Sequence, residues 1–179
     1  MKINLLILLT FLLTLFPTHS FAKITLSAGV LYQNINDNRY RLKNEYKSLY
    51  KPNNISLGYM HQFGKFNVSV ATNRLFSQEV KKKVILNHNN QMADGKFKLT
   101  YDALQVGYIK GRFMPALFIA NANSKVSIMG KKEIESEILV GASLGYFITK
   151  NISTTFIYVA PNEALNMDSS AGTSINFFW

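Results

Sequence analysis

The 179-residue chain has no cysteine. Disulfide frameworks, thiol nucleophiles and cysteine-based metal centres are therefore excluded. Histidine is nearly as scarce. His19 lies in a segment read below as removed, which leaves His61 near the end of an apolar stretch and His88 in Asn87-His88-Asn89-Asn90. Neither has a serine or carboxylate at a catalytic spacing. Nor is a nucleophile elbow, an HExxH pair, a phosphate loop or a carboxylate-rich calcium loop read in the chain. No cofactor and no metal are expected. Acidic residues are also few: 10 Asp and Glu stand against 20 Lys and Arg, a formal net charge of +10. Long apolar runs are missing as well. The longest, Leu5 to Phe16, is too short for a bilayer-spanning helix, which needs roughly 20 residues.

That run sits where a secretory signal would. Lys2 supplies a positive start, Pro17 ends the apolar stretch, and Ser20-Phe21-Ala22 puts small residues where a signal peptidase reads. Cleavage after Ala22 leaves residues 23–179 as one domain without a linker or repeat. Lys2 is the only charge lost, so the mature chain keeps about +9.

The other end carries the sharpest signal. Read back from Trp179 in steps of two, Trp179, Phe177, Ile175, Thr173 and Ala171 share one face. Phe178, Asn176, Ser174 and Gly172 share the other. Alternation of period two is a strand signal. A strand ending in three bare aromatics is an aggregation hazard in water. At a bilayer interface the same aromatics have a place.

Similar alternation recurs along the chain. Strands are expected at about residues 23–33, 54–63, 66–76, 96–109, 113–123, 135–147 and 152–160, with the last ending at Trp179. Within 96–109 the apolar phase changes, from Phe97, Leu99 and Tyr101 to Leu104, Val106 and Tyr108. Either a bulge near Asp102-Ala103 or a strand rising above the membrane explains this. Connections alternate long and short: Gly64-Lys65, Lys110-Gly111-Arg112 and Thr149-Lys150-Asn151 are tight, whereas loops starting at Asn34, Ser77, Ser124 and Pro161 are longer. Short turns on one side and long loops on the other is outer-membrane topology. Tyr59, Phe63, Phe66, Tyr108, Phe113, Tyr146, Phe147 and Trp179 are expected in a girdle at the turn end. Tyr32, Phe76, Tyr101 and Tyr158 are expected nearer the loop end. The expected fold is all-β: an eight-stranded antiparallel transmembrane up-and-down barrel.

The last strand resembles the C-terminal signal of bacterial outer-membrane proteins. The whole mature chain resembles the small OmpX/Ail and OmpA-type barrels in topology. This resemblance implies a bacterial outer-membrane location, a monomeric, side-chain-filled barrel that is not a porin, and function in the external loops. It also implies that the barrel assembly machinery reads Ile175, Phe177 and Trp179. The final hairpin, with Phe156 to Asn162 on one arm, also resembles the end of the outer-membrane palmitoyltransferase. The His, Asp and Ser that such a lipid A-modifying enzyme needs have no match here. An enzyme of that acyltransferase or deacylase kind is the alternative reading.

Positive charge gathers in the expected loops. Arg39, Arg41, Lys43, Lys47 and Lys51 lie in the first, Lys81-Lys82-Lys83 in the second and Lys131-Lys132 in the third. Clustered positive charge attracts polyanions over long range. An outer surface meets two of them, lipopolysaccharide phosphates and host sulfated glycans; the compartment argues against nucleic acid. The first eight of these residues are the expected anion-binding set for a structural or adhesin-like surface protein. Arg74, Asp102 and Glu137 are expected to form a polar network inside the upper barrel.

Overall fold

The computed structural model describes residues 20–32, 40–42, 54–77, 79–164 and 169–179. They form ten strands: β1 (Ser20–Tyr32), β2 (Tyr40–Leu42), β3 (Asn54–Phe63), β4 (Phe66–Thr72), β5 (Val80–Leu86), β6 (Met92–Tyr108), β7 (Phe113–Ile128), β8 (Lys131–Thr149), β9 (Ile152–Val159) and β10 (Ser170–Phe178). All pairings are antiparallel. β1, β3, β4, β6, β7, β8, β9 and β10 follow one another round a closed ring, because β6 also pairs with β7. These are the eight expected strands. Closure leaves the wall no unpaired edge within the membrane-spanning part, as lipid requires.

The ends of the chain make the seam. β1 pairs with β10 from Thr25↔Phe178 to Tyr32↔Ala171. Below that ladder, Ile24 and Trp179 exchange two backbone hydrogen bonds of 3.0 Å each. The three tight turns lie at this same end. Phe63 pairs with Phe66 across Gly64-Lys65, Lys110 with Phe113 across Gly111-Arg112, and Thr149 with Ile152 across Lys150-Asn151. Gly64 and Gly111 take positive φ, 59° and 62°, the conformation that lets a two-residue hairpin follow the strand twist.

Side-chain parity settles inside from outside. Leu57, Phe66, Val106, Leu117, Ile119, Val140, Leu144, Phe156, Ile175 and Phe177 are exposed. On the opposite faces, Ser56, Asn67, Ser143, Ser153, Thr155, Ser174 and Asn176 are buried. A polar interior within an apolar wall inverts a soluble barrel. Large apolar side chains face outward because the surrounding solvent is hydrocarbon. Aromatics gather at the turn end of this wall, where Phe66 meets Tyr108 and Phe113 meets Tyr146, each with ring centres 5.2 Å apart.

Two expected girdle members are inside instead. Phe147 packs at a tilt against Phe178 in the floor of the lumen, with centroids 5.7 Å apart. Tyr101 lines the lumen, its hydroxyl donating to Asn54 Oδ1 at 2.9 Å. Both lie on inward-facing positions of their strands, so their aromatic character says nothing about lipid. The side chain of Tyr32 lies outside the described residues.

The phase change in β6 has a clear cause. Register is constant along the β6–β7 ladder, from Gly95↔Ile128 to Gly107↔Ala116, so β6 contains no bulge. The strand rises above the membrane. Leu104, Val106 and Tyr108 face lipid in the lower half. Above Asp102 the outer face becomes polar and the apolar residues Phe97, Leu99 and Tyr101 point inward. The ladder is interrupted on the neighbouring side: β4 ends opposite Asp102, and β5 resumes opposite Phe97. Residues 74–76 form an exposed turn between them. The polar segment after Ser77 is therefore largely a β5–β6 hairpin. Its inner face, with Val84, Leu86, Ala93, Phe97, Val126 and Ile128, forms a small core of its own.

The expected interior network of Arg74, Asp102 and Glu137 is not formed. Arg74 binds Asp102 through both carboxylate oxygens, at 2.6 and 3.1 Å, and Thr72 Oγ1 donates to the same carboxylate at 2.8 Å. Even-numbered Asp102 faces out, at the upper edge of the lipid belt. Glu137 pairs in register with the fully buried Ala122 and belongs to the inner face. The ion pair thus sits where its charges reach water.

The lumen is layered. Met60, Met114 and Phe178 close its turn end, with Ile109 and Phe147 against them. Above is a polar knot: Asn176 Nδ2 donates to Ser153 Oγ at 3.0 Å and Thr155 Oγ1 at 2.8 Å, and Ser174 Oγ donates to Asn176 Oδ1 at 3.1 Å. Higher still, Leu139 and Val159 pack with Leu31, Leu99, Phe118 and Ile157. Small residues in this narrow tube leave space, and a cavity of about 160 Å³ runs between the layers. The expectation of a side-chain-filled lumen is corrected to that extent.

Candidate anion-binding surface

The part of the sheet above the lipid belt comprises β5 and the upper halves of β6, β7 and β8. Because strand side chains alternate, each strand offers this ectodomain sheet one outer and one inner row. Lys81 and Lys83 lie on the outer row of β5 and are exposed, while Lys82 belongs to the inner row with Val84 and Leu86. The expected Lys81-Lys82-Lys83 cluster is therefore split between two faces. Three consecutive charges can share a face only if they are not in a strand.

The outer face collects lysines from other strands instead. Lys81 pairs with Lys96, Lys96 with Ser127, and Ser127 with Lys132. One cross-strand row thus carries three ammonium groups over three strand spacings, about 14 Å. In the next row down, Lys98 pairs directly with Lys125. Like charges directly opposite in a sheet are destabilising. Two such pairs stand side by side here.

Nearby carboxylates relieve only part of this charge. Lys125 Nζ lies 3.3 Å from Glu79 Oε1, and Lys83 Nζ lies 2.8 Å from Asp94 Oδ1. Among the described residues, none of Lys81, Lys96 and Lys132 has a salt bridge. The row stands about 20 Å above the lipid-facing Leu104, counted at about 3.3 Å per residue along a tilted strand. At that height it faces water, not acyl chains.

Of the remaining expected anion-binding residues, Arg39, Lys43, Lys47 and Lys51 lie outside the described residues. Arg41 is in β2, in register with Ile85 on the free edge of β5, and its side chain also lies outside them. β2 thus lies alongside this sheet. Lys96, Lys98 and Lys125 were not expected at the site. They look isolated in sequence, and only the register brings them together.

The histidines stay apart from any catalytic arrangement. His61 faces outward beside Phe63, with ring centres 4.4 Å apart and Tyr59 Oη 3.4 Å from Nδ1. His88 lies in the exposed turn at residues 87–89. One motif was missed in the sequence: Gly141-Ala142-Ser143-Leu144-Gly145 has the G-x-S-x-G spacing. It lies in an unbroken part of β8, paired on both sides, and not on the sharp strand-to-helix turn that exposes a nucleophile.

No protein-family model and no curated protein matches the chain. Solved structures do. Ail, the attachment invasion locus protein of Yersinia pestis, in complex with the heparin analogue sucrose octasulfate, matches over 89% of this chain and 97% of its own, with 12% identity and a TM-score of 0.50. Neisserial surface protein A matches over 90% and 98%, with 10% identity and a TM-score of 0.46. The N-terminal β-barrel domain of Pseudomonas aeruginosa OprF matches over 88% and 97%, with 10% identity and a TM-score of 0.45. At such identities the likeness is one of fold. The expected location, a bacterial outer membrane, agrees with that fold and with the apolar wall. Ring closure, turn placement and an inverted wall, together with the match to Ail, make this chain a small outer-membrane β-barrel in fold.

Proposed function

We propose that this protein is an outer-membrane surface protein whose ectodomain sheet binds anionic polymers. The observation that carries the reading is the cross-strand row of Lys81, Lys96 and Lys132 beside the Lys98–Lys125 pair. Such a row is costly to hold without counter-charge, and a polymer bearing repeated phosphate or sulfate groups supplies it. Lipopolysaccharide and sulfated glycans share that chemistry. The complex of Ail with a heparin analogue is in keeping with it.

Serine at positions 81, 96 and 132 together should weaken heparin binding about tenfold at low salt, from roughly 0.5 kcal/mol for each screened surface charge. The salt dependence should flatten as well. Lys82→Ser, on the opposite face, should change little. Titration of the folded barrel with heparin and with lipopolysaccharide reads both variants and separates the two polymers. Unchanged binding in the triple variant, or an equal loss in Lys82→Ser, contradicts the reading.

The N-terminal segment is read as a signal peptide cut after Ala22. In support, Ser20, Phe21 and Ala22 pair only with β3, whereas the β1–β10 seam begins at Ile24. Cleavage there leaves the seam whole. Ile175, Phe177 and Trp179 all face outward on β10, with the last two rings stacked 6.4 Å apart. An assembly factor approaching from lipid would meet these side chains, while the backbone of Trp179 closes the seam. Phe177→Ala with Trp179→Ala should therefore cut accumulation in the outer membrane of expressing cells, yet refold into detergent almost as the parent does. Equal losses in both settings would reduce these aromatics to barrel stability. The alternative, a lipid A-modifying enzyme, gains no observation from His61 or His88.

A further inference from the structure

The lumen holds more than a structural filling. Its cavity of about 160 Å³ is bounded by Leu31, Leu99, Phe118, Leu139, Met60 and Met114, with Ser143 and other polar side chains, among them Ser56, Ser69, Gln105 and Thr155, between them. Among the described residues, no charged side chain lines it. Ser143 Oγ is buried and makes no hydrogen bond. On the neighbouring strands, by contrast, the Asn176 amide and the hydroxyls beside it satisfy one another. A buried hydroxyl without a partner costs free energy unless something pairs with it. Most of the lining surface is nevertheless apolar, and a cavity of about 150 Å³ is large enough for a molecule of benzene size.

We infer that the lumen is a binding site for a small neutral molecule of single-ring size that carries one hydrogen-bonding group. The ring packs against Phe118, Leu139, Leu99 and the two methionines, and its polar group pairs with Ser143. Charge is excluded because nothing in the lining compensates it. Met60, Met114 and Phe178 close the turn end, so the molecule comes and goes from the loop end. Binding of this kind is independent of the polyanion surface, which lies on the other face of the wall.

The methionines report on it directly. Met60 and Met114 line the cavity, whereas Met92 and Met129 are exposed above the membrane. The folded barrel, ¹³C-labelled at its methionine methyls and held in lipid nanodiscs, is titrated with 4-fluorophenol and separately with 4-fluorobenzoate at neutral pH. Saturable shifts confined to Met60 and Met114, with the phenol only, are the expected result. Ser143→Ala should weaken the phenol about fivefold, the scale of one net hydrogen bond. Ala120→Phe, which fills the cavity, should abolish the shifts; retention of its heat-modifiable band shows that it still folds. Shifts at Met92 and Met129 equal to those at Met60 and Met114 mean partition into lipid and overturn the proposal. So does the absence of any shift, or a Ser143→Ala titration identical to the parent's.

Discussion

Leu117→Arg should destabilise the folded barrel by about 2–4 kcal/mol, the cost of an arginine near the bilayer midplane. Leu117 is 71% exposed, between Phe113 in the girdle and the polar Asn121 on the same face of β7. Were the wall wet, so exposed a position would accept arginine within about 0.5 kcal/mol. The size of the loss therefore measures the solvent. Asn121→Arg, four residues higher on the same face of β7, should cost about 0–1 kcal/mol because it lies near the interface. Reversible urea unfolding in lipid vesicles gives both values. Equal small costs at the two depths would mean that no lipid covers β7.

Gly29→Val should be the second large loss, about 1–3 kcal/mol through overpacking at the seam. A Cβ at Gly29 would collide with the carbonyl oxygen of Thr173 and come within 2.7 Å of Ser174 Cβ. Those atoms belong to β10, where Gly29 pairs with Ser174, so relief requires the closing strands to part. Gly145→Ala is the matched control. There the added Cβ first meets Met114 Cε at 3.3 Å, the end of a flexible side chain. It should cost less than about 1 kcal/mol. The same unfolding measurement compares the two, and a Gly29 variant as stable as the Gly145 variant would contradict the close approach of β1 and β10.

Much of the barrel was legible because its signal is local. Trp179, Phe177 and Ile175 against Phe178, Asn176 and Ser174 show a two-residue period that needs no knowledge of partners. Gly64 and Gly111 mark tight turns for the same reason. What the sequence hid was everything set by the membrane boundary or by register. The phase change in β6 comes from a change of solvent along one regular strand, and Phe97 and Leu99 read like lipid-facing residues until the outer row above Asp102 turns polar. Lys81, Lys82 and Lys83 are neighbours in sequence and occupy opposite faces. Lys81 and Lys96 are distant in sequence and directly opposed. Their position near strand ends suggests the girdle for Phe147 and Tyr101, although parity puts both inside. The cavity was illegible because it depends on how small residues from many strands stack across the lumen.

The most direct test of the membrane-barrel account is heat modifiability. The full chain is expressed, membranes are fractionated, and boiled and unboiled samples are compared on an SDS gel. The account predicts a band in the outer-membrane fraction that shifts on boiling, because a closed hydrogen-bonded ring resists SDS until heated. A soluble periplasmic band with no shift would contradict it and require the exposed apolar wall to be buried against something other than lipid.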